Sequence, residues 1–340
     1  MAPRQSSRRI RERDRKFRLI LSQMHHLITG VAGFIGSHLA SALLLAGDRV
    51  SGIDDLSTGR LEHLRKAQEN PAFCFTQADC SEVDSATRVL RQAAAWGGKP
   101  DIVWHLAANS DIAAGVADPA IDFTRTLKTT FAILEAARSG GVKRTAFASS
   151  SAVYGERDDS LAEDSGPLLP ISNYGAAKLA SEALLSAAAE TFLERIWIFR
   201  FPNVVGSQAT HGALFDFIHR LRTEPAELKV LGDGTQTKPY LHVSELTSAM
   251  LFIVRNATGR RNVFNIGPEG PGTTVAFMAR KTVDRVAQGA SVSFAGGDRG
   301  WVGDVPHFNY STDRLAALGW RPQLSSDAAV LRAIEELAAG

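Results

Sequence analysis

The sequence predicts an α/β fold, a doubly wound parallel sheet with a smaller, interleaved C-terminal lobe. Three observations carry this reading. From His25 onward, short and nearly continuous apolar runs alternate with helix-like stretches, the pattern of parallel strands covered on both faces. Three glycines fall between the first such run and the first helix-like stretch. After Asn203 the alternation stops and glycine- and proline-punctuated segments take over.

In order, HHLITG reads as a buried strand, FIGSHLASALLLAG as a helix and RVSGIDD as the second strand. FCFTQADC is the third strand, residues 85–95 are helical, and DIVWHLAA is the fourth strand. FTRTLKTTFAILEAARSG is a helix stopped by Gly140 and Gly141, and RTAFASSS is the strand after it. YGAAKLASEALLSAAAE is an alanine-rich helix and RIWIFRF another strand. In the second part, HGALFDFIHRLRTEP is helix-like and GDGTQTKP a loop.

Composition narrows the function. The 340 residues, 44% hydrophobic and 22% charged, suffice for a large core. The formal net charge of +2 is unevenly placed, because Pro3 to Arg18 holds eight Arg or Lys against Glu12 and Asp14. Of 38 basic and 36 acidic side chains in all, 30 and 34 lie elsewhere, so the body gives no bulk electrostatic case for nucleic acid. The basic segment, within residues 1–24, reads as a disordered, solvated arm, with Met24 as an alternative start. It lacks the apolar stretch of a secretory signal, and no run is long enough to span a bilayer. Cys74 and Cys80 are too few for a disulfide framework or a thiolate zinc site, which fits a reducing cytoplasm. The nine histidines have no metal-ligand spacing, so no metal is expected, and Trp104, Trp197 and Trp320 read as core.

In TGVAGFIGSHL, Gly30, Gly33 and Gly36 let backbone approach a pyrophosphate, and the helix that follows offers free N–H groups. Asp54 and Asp55 end the second strand, where a carboxylate bonds a ribose 2′-hydroxyl and would repel a 2′-phosphate. No Arg directly follows the glycine turn, so the expected cofactor is NAD rather than NADP. Asp79 ends the third strand and either reaches the adenine or caps a helix.

Tyr174 and Lys178 lie four apart in YGAAK, on one face of a helix. An ammonium close to a phenol favours the phenolate, so Tyr174 is expected to have a lowered pKa. It can then take an alcohol proton while hydride leaves the carbon, and a hydroxyl from SSSAVYG can bond the same oxygen.

TGVAGFIGSHL, DDLSTG, HLAA, SSSAVYG, YGAAK, RFPNVVG, GDGTQTKPYLHVSE and FNIG resemble the extended short-chain dehydrogenases/reductases that act on nucleotide sugars. The resemblance runs from about His25 to near the C-terminus. HGALFDFIHRLR, LGDGTQTKPYLHV and GGDRGWVGDVP are most similar to an archaeal-type, UDP-glucose 4-epimerase-like branch. It implies a Rossmann-like NAD-binding domain over 25–205, with 240–266 returning to it, and a substrate-binding lobe from 206–239 and 267–340. Ser150, Tyr174 and Lys178 match the catalytic group. The implied NAD site comprises Gly30, Gly33, Phe34, Ile35, Gly36, Asp54, Asp55, Leu56, Ser57, Thr58, Gly59, Asp79, Cys80, Leu106, Ala107, Ala108, Ser149, Tyr174 and Lys178, with Phe201 beside the nicotinamide. The implied sugar-nucleotide contacts are Asn109, Ser150, Asn203, His211, Leu231, Lys238 and Asp304. A homodimer through the helices near Phe131 and Ala183 is implied as well.

The chain departs from its relatives at Lys238 and Trp301, where Arg is common, and at Thr126, where Asn is usual. Dehydratases of the family carry Asp-Glu where Ser151 and Ala152 stand, and UDP-glucuronate decarboxylases usually carry Glu at the Ala152 position. Ala152 holds no proton. The expected activity is therefore NAD-dependent 4-epimerisation of a UDP-hexose through a transient 4-keto sugar, UDP-glucose/UDP-galactose or a close relative. The alternatives are a 4,6-dehydratase or another oxidoreductase of the family, UDP-glucuronate 4-epimerase included. A non-catalytic NAD-sensing scaffold is the reading from a different class.

Overall fold

The structure is a computed structural model, and it describes residues 23–157, 160–297 and 310–339. The basic extension up to residue 22, Trp301 and Asp304 lie outside the described residues. The first part of the chain runs β1 (His25–Thr29), α1 (Phe34–Ala46), β2 (Arg49–Asp54), β3 (Phe73–Gln77), α2 (Val83–Gly97), β4 (Ile102–His105), α3 (Thr129–Ser139), β5 (Arg144–Ala148), α4 (Asn173–Thr191) and β6 (Arg195–Arg200). Then come β7 (Asn203–Val205), α5 (Ala213–Thr223), β8 (Glu227–Val230), β9 (Thr237–Lys238), β10 (Tyr240–His242), α6 (Val243–Asn256) and β11 (Arg261–Asn265). The chain continues through β12 (Thr273–Thr274), α7 (Val275–Val286), β13 (Ser291–Phe294) and α8 (Ser326–Ala338). Among the described residues no helix is long and apolar enough to cross a membrane.

Seven strands form one sheet in the order β11-β6-β5-β4-β1-β2-β3, every pair parallel. The apolar runs are continuous because alternate residues enter different cores. Along β6, Trp197 and Phe199 pack with Leu39 and Leu43 of α1 and with Leu246 and Met250 of α6. Their neighbours Ile196 and Ile198 point the other way, onto Leu134 of α3 and Leu185 of α4. Trp104 and Trp197 are fully buried as expected, while Trp320 packs on the edge of the same core. A separate core unites Leu214 and Phe217 of α5, Leu228 of β8, Met278 of α7 and Val330 of α8.

Strand order reverses between β1 and β4, and an open α/β sheet binds ligands at that point, beyond its strand C-termini. The glycine turn lies there. Gly30 has φ 72°, a backbone state that L side chains rarely adopt. A Cβ on Gly36 would lie 2.1 Å from Gly30 O, so α1 approaches β1 more closely than any side chain allows. At the end of β4, His105 is 1% exposed and bridges Thr29 Oγ1 (2.8 Å) and Thr130 Oγ1 (3.0 Å). Burial, aided by the charge of Lys178, lowers its pKa to about 3, so it is a neutral imidazole.

Gly36→Ala is expected to cost about 1–3 kcal/mol by overpacking, read as a lower thermal midpoint. The unfolded chain protonates His105 near its ordinary value of 6.5, whereas the folded chain resists down to about 3. Stability from this group is therefore full above that ordinary value and falls as pH drops below it. Between pH about 6.5 and 4, the urea midpoint of His105→Gln should fall less steeply than that of the parent chain.

Candidate active site

A cleft of about 850 Å³ opens beyond the strand ends, with the second core's elements forming part of its wall. It brings together Gly30, Gly33, Phe34, Ile35, Gly36, Asp54, Asp55, Ser57, Thr58, Asp79 and Cys80 from the first three strand ends. Leu106, Ala107, Ala108, Asn109, Ser149, Ser150, Tyr174, Lys178, Phe201, Asn203, His211, Leu231 and Lys238 complete the set of expected residues on its walls. Leu56 and Gly59 stand one step back. The Leu56 N–H donates to Asp54 Oδ1 (2.9 Å), and a Cβ on Gly59 would sit 2.6 Å from that same oxygen.

The glycine turn fits a dinucleotide. Helix α1 starts at Gly33 with no side-chain cap, which leaves its first N–H groups without a side-chain partner. Asp54 accepts from the Ala32 N–H through Oδ2 (2.9 Å), joining the end of β2 to that turn. Burial pushes the Asp54 carboxyl up, while the Leu56 and Ala32 N–H groups pull it back. Asp79 does not cap α2, whose N-cap is Glu82. Its carboxylate instead accepts from the Ser81 N–H (2.7 Å) and hydroxyl (3.0 Å) in a tight turn on the cleft wall.

Two local features bring the catalytic candidates together. Ser172 caps α4 by accepting from the Gly175 N–H (3.1 Å), which places Tyr174 in the first helical turn and Lys178 one turn on. Gly175 lets that turn press against the 3₁₀ segment Ser151–Tyr154, since a Cβ there would lie 2.6 Å from Ala152 O. Ser150, which opens that segment, lies on the cleft wall with Tyr174 and accepts from the Ala152 N–H (3.1 Å). Lys178 is 3% exposed and donates to Ala148 O (2.7 Å), with its Nζ 5.8 Å from the Tyr174 ring centroid and 4.9 Å from that of Phe147.

The expected lowering of the Tyr174 pKa is not what these protein groups produce. Burial pushes the phenol up to about 12, with the Ser150 hydroxyl working against it and the Asp122 charge adding to it. The ammonium that was to lower it is itself desolvated: burial pulls Lys178 down to about 7, against the charges of Asp122 and Glu182.

Asn109, expected as a substrate contact, lines the cleft with its side chain engaged in the loop after β4. Its side chain turns inward, donating to Asp111 O (2.8 Å) and Asp122 Oδ1 (2.8 Å) and accepting from the Asp111 N–H (3.1 Å). Only 6% of the residue is exposed, because this amide closes the loop after β4. Asn203, His211 and Leu231 are exposed on the cleft wall, and Lys238 is 7% exposed in β9.

A buried network behind the serines escaped the sequence reading. Glu182 accepts from Arg200 Nη2 (2.6 Å) and Nε (2.9 Å) and from Ser149 Oγ (2.5 Å). Arg200 Nη1 donates to Tyr154 Oη (3.0 Å), which donates to Asn265 Oδ1 (2.7 Å) at the end of β11. Burial opposes the Arg200 charge, yet the Glu182 and Tyr154 bonds hold the guanidinium well above its ordinary range. One signal was available: Tyr174, Lys178 and Glu182 recur every four residues, on one helix face.

The sequence matches the NAD dependent epimerase/dehydratase family over residues 26–267. It is 30% identical over 317 residues to the UDP-glucose 4-epimerase of Mycolicibacterium smegmatis, an alignment covering 92% of this chain and 98% of that protein. The fold matches the crystal structure of a UDP-galactose 4-epimerase with a TM-score of 0.79 at 33% identity, over 93% of this chain and 99% of that one. It matches the Thermus thermophilus UDP-glucose 4-epimerase, solved in complex with NAD, with a TM-score of 0.80 at 27% identity, over 92% and 99%. With its glycine turn, parallel sheet and Ser150–Tyr174–Lys178 cluster in one cleft, the chain belongs to the NAD-dependent epimerase/dehydratase family.

Proposed function

We propose that the protein catalyses NAD-dependent 4-epimerisation of a UDP-hexose, UDP-glucose/UDP-galactose or a close relative, through a transient 4-keto sugar. The observation that carries this reading is the placement of Ser150, Tyr174 and Lys178 together on one cleft wall, Lys178 one turn beyond Tyr174, beside an Ala152 that can hold no proton. Ser150 and Tyr174 hold the sugar O4 between them, and Tyr174 Oη takes its proton. NAD, when bound, supplies the hydride acceptor and donor at C4 and leaves the cycle unchanged. Lys178, anchored on Ala148 O, keeps positive charge beside the phenolate, and Asp122 and Glu182 support that charge against burial. Tyr174 returns the proton to O4 once the keto sugar has presented its other face. Ser151 and Ala152 carry no acid for proton loss at C5, which disfavours dehydration.

In this reading the turn at Gly30–Gly36, Asp54, and the Asp79, Cys80, Leu106–Ala108 and Phe201 walls hold NAD, while Asn203, His211, Leu231 and Lys238 face the sugar nucleotide. The pairing of β11 with β6 and the separate core under α5, α7 and α8 support an NAD-binding unit over 25–205 with 240–266, and a substrate lobe from 206–239 and 267–340. A homodimer through α3 and α4 is supported by Phe131, 49% exposed, and by an apolar groove lined by Leu179, Ala180 and Ala183. The two unpaired cysteines favour the cytoplasm.

Incubation of the purified protein with UDP-glucose, UDP-N-acetylglucosamine and UDP-glucuronate should yield a C4 epimer from a hexose. Accumulation of a dehydrated 4-keto sugar in place of any epimer would refute the reading. Tyr174→Phe should reduce kcat by about 10²–10⁴-fold while NAD stays bound, as followed by absorbance and product chromatography. Light scattering at micromolar concentration should report a dimer.

A further inference from the structure

The cleft contains several cations, and most already have partners. Lys178 donates to Ala148 O (2.7 Å), Arg220 donates to Lys229 O (3.1 Å), and Lys238 is buried and engaged within the fold. Arg125 lines the same cleft, is exposed, and makes no hydrogen bond or ion pair among the described residues. It falls in the π-helical segment Phe123–Lys128, a local widening that re-aims side chains and recurs at functional sites.

The segment is tied at two of its residues. Lys128 pairs with Glu82, just beyond β3 and the Asp79–Ser81 turn. Thr126 Oγ1 accepts from the N–H of Asn109, just beyond β4 (3.1 Å). Arg125 stands on the wall of a cleft whose adenosine end is at Asp54 and Asp79 and whose reacting end is at Ser150 and Tyr174, in a segment tied to the turn after β3 and to the loop after β4. A dinucleotide spanning those ends carries its diphosphate through this middle stretch. Gly33, Phe34 and Ile35 line it with backbone at the start of α1. Those N–H groups are neutral donors, no Arg directly follows the glycine turn, and Asp54, Asp55 and Asp79 make the adjoining wall acidic. A dianion there needs a counter-charge, and a guanidinium supplies one with two parallel donors.

We propose that Arg125 clamps the diphosphate of the bound dinucleotide, complementing the N–H groups at the start of α1. The proposal rests on the NAD reading and adds a residue that lies beside the Thr126 departure from the family pattern. It is tested by calorimetric titration of the purified full chain, freed of nucleotide, with NAD, ADP-ribose, adenosine and UDP. Arg125→Gln should weaken NAD and ADP-ribose by about 10–100-fold, leave adenosine and UDP within about twofold, and flatten the salt dependence of NAD binding. Arg125→Lys should recover part of the loss, as a point charge without the fork. Unchanged NAD affinity in Arg125→Gln, an equal loss for adenosine, or a loss confined to UDP would each overturn the assignment. A parent chain that binds no NAD would overturn the cofactor reading and this assignment with it. A parent that binds NAD only as tightly as Arg125→Gln overturns the assignment alone.

Discussion

The buried pair between Glu182 and Arg200 joins the parts on which the cleft depends. Glu182 is on α4, one turn beyond Lys178, and Arg200 ends β6. Through two hydrogen bonds, 2.6 and 2.9 Å, the pair fixes the helix that carries Tyr174 against the sheet. Ser149 and Tyr154 attach the serine-rich segment to the same two groups, and Asn265 brings in the last strand of the sheet. Both ions are almost wholly inside, at 8% and 6% side-chain exposure, so removing either one strands the other charge at a cost of about 3–5 kcal/mol. A pair of this kind adds little net stability over apolar packing. Its contribution here is positional: it ties α4, which carries Tyr174, to the end of β6 and, through Ser149, to the residue next to Ser150.

Electrostatics in the cleft follow from burial more than from charge pairing. The reacting end has a lysine, a tyrosine and a histidine, and desolvation drives each toward its neutral form. His105 yields fully and becomes a hydrogen-bond spacer between Thr29 and Thr130. Lys178 is opposed in this by two carboxylates, Asp122 and Glu182. Of the three, Lys178, at about 7, is thus left close to the balance between charged and neutral, where small changes in surroundings shift it most.

Much of the fold was legible because it rests on local rules. The strand and helix alternation, the glycine turn and the Tyr174–Lys178 spacing depend on period and backbone freedom, which the residues display directly. The partners of the Asn109 side chain were not legible, for the opposite reason. A polar side chain at a strand end can face a ligand or close its own loop, and only packing against Asp122 decides. The Tyr174 pKa was missed because the depth of burial is set by elements far apart in sequence, the 3₁₀ turn and α4 among them. Glu182 and Arg200 went unnoticed because Arg200 sits inside an apolar strand, where its partner belongs to another element.

The place of β11 has a further consequence. The chain leaves the main sheet after β6, passes through β7 to β10, and returns to pair β11 with β6 before it departs again. The outer elements are therefore threaded through the sheet-bearing part and are not hung from one end of it. Such a lobe cannot be exchanged as a cassette by recombination at a single junction, since each cut would sever the sheet's own edge. Any change to those outer elements is then made under the constraint that the chain still closes the same seven-stranded sheet.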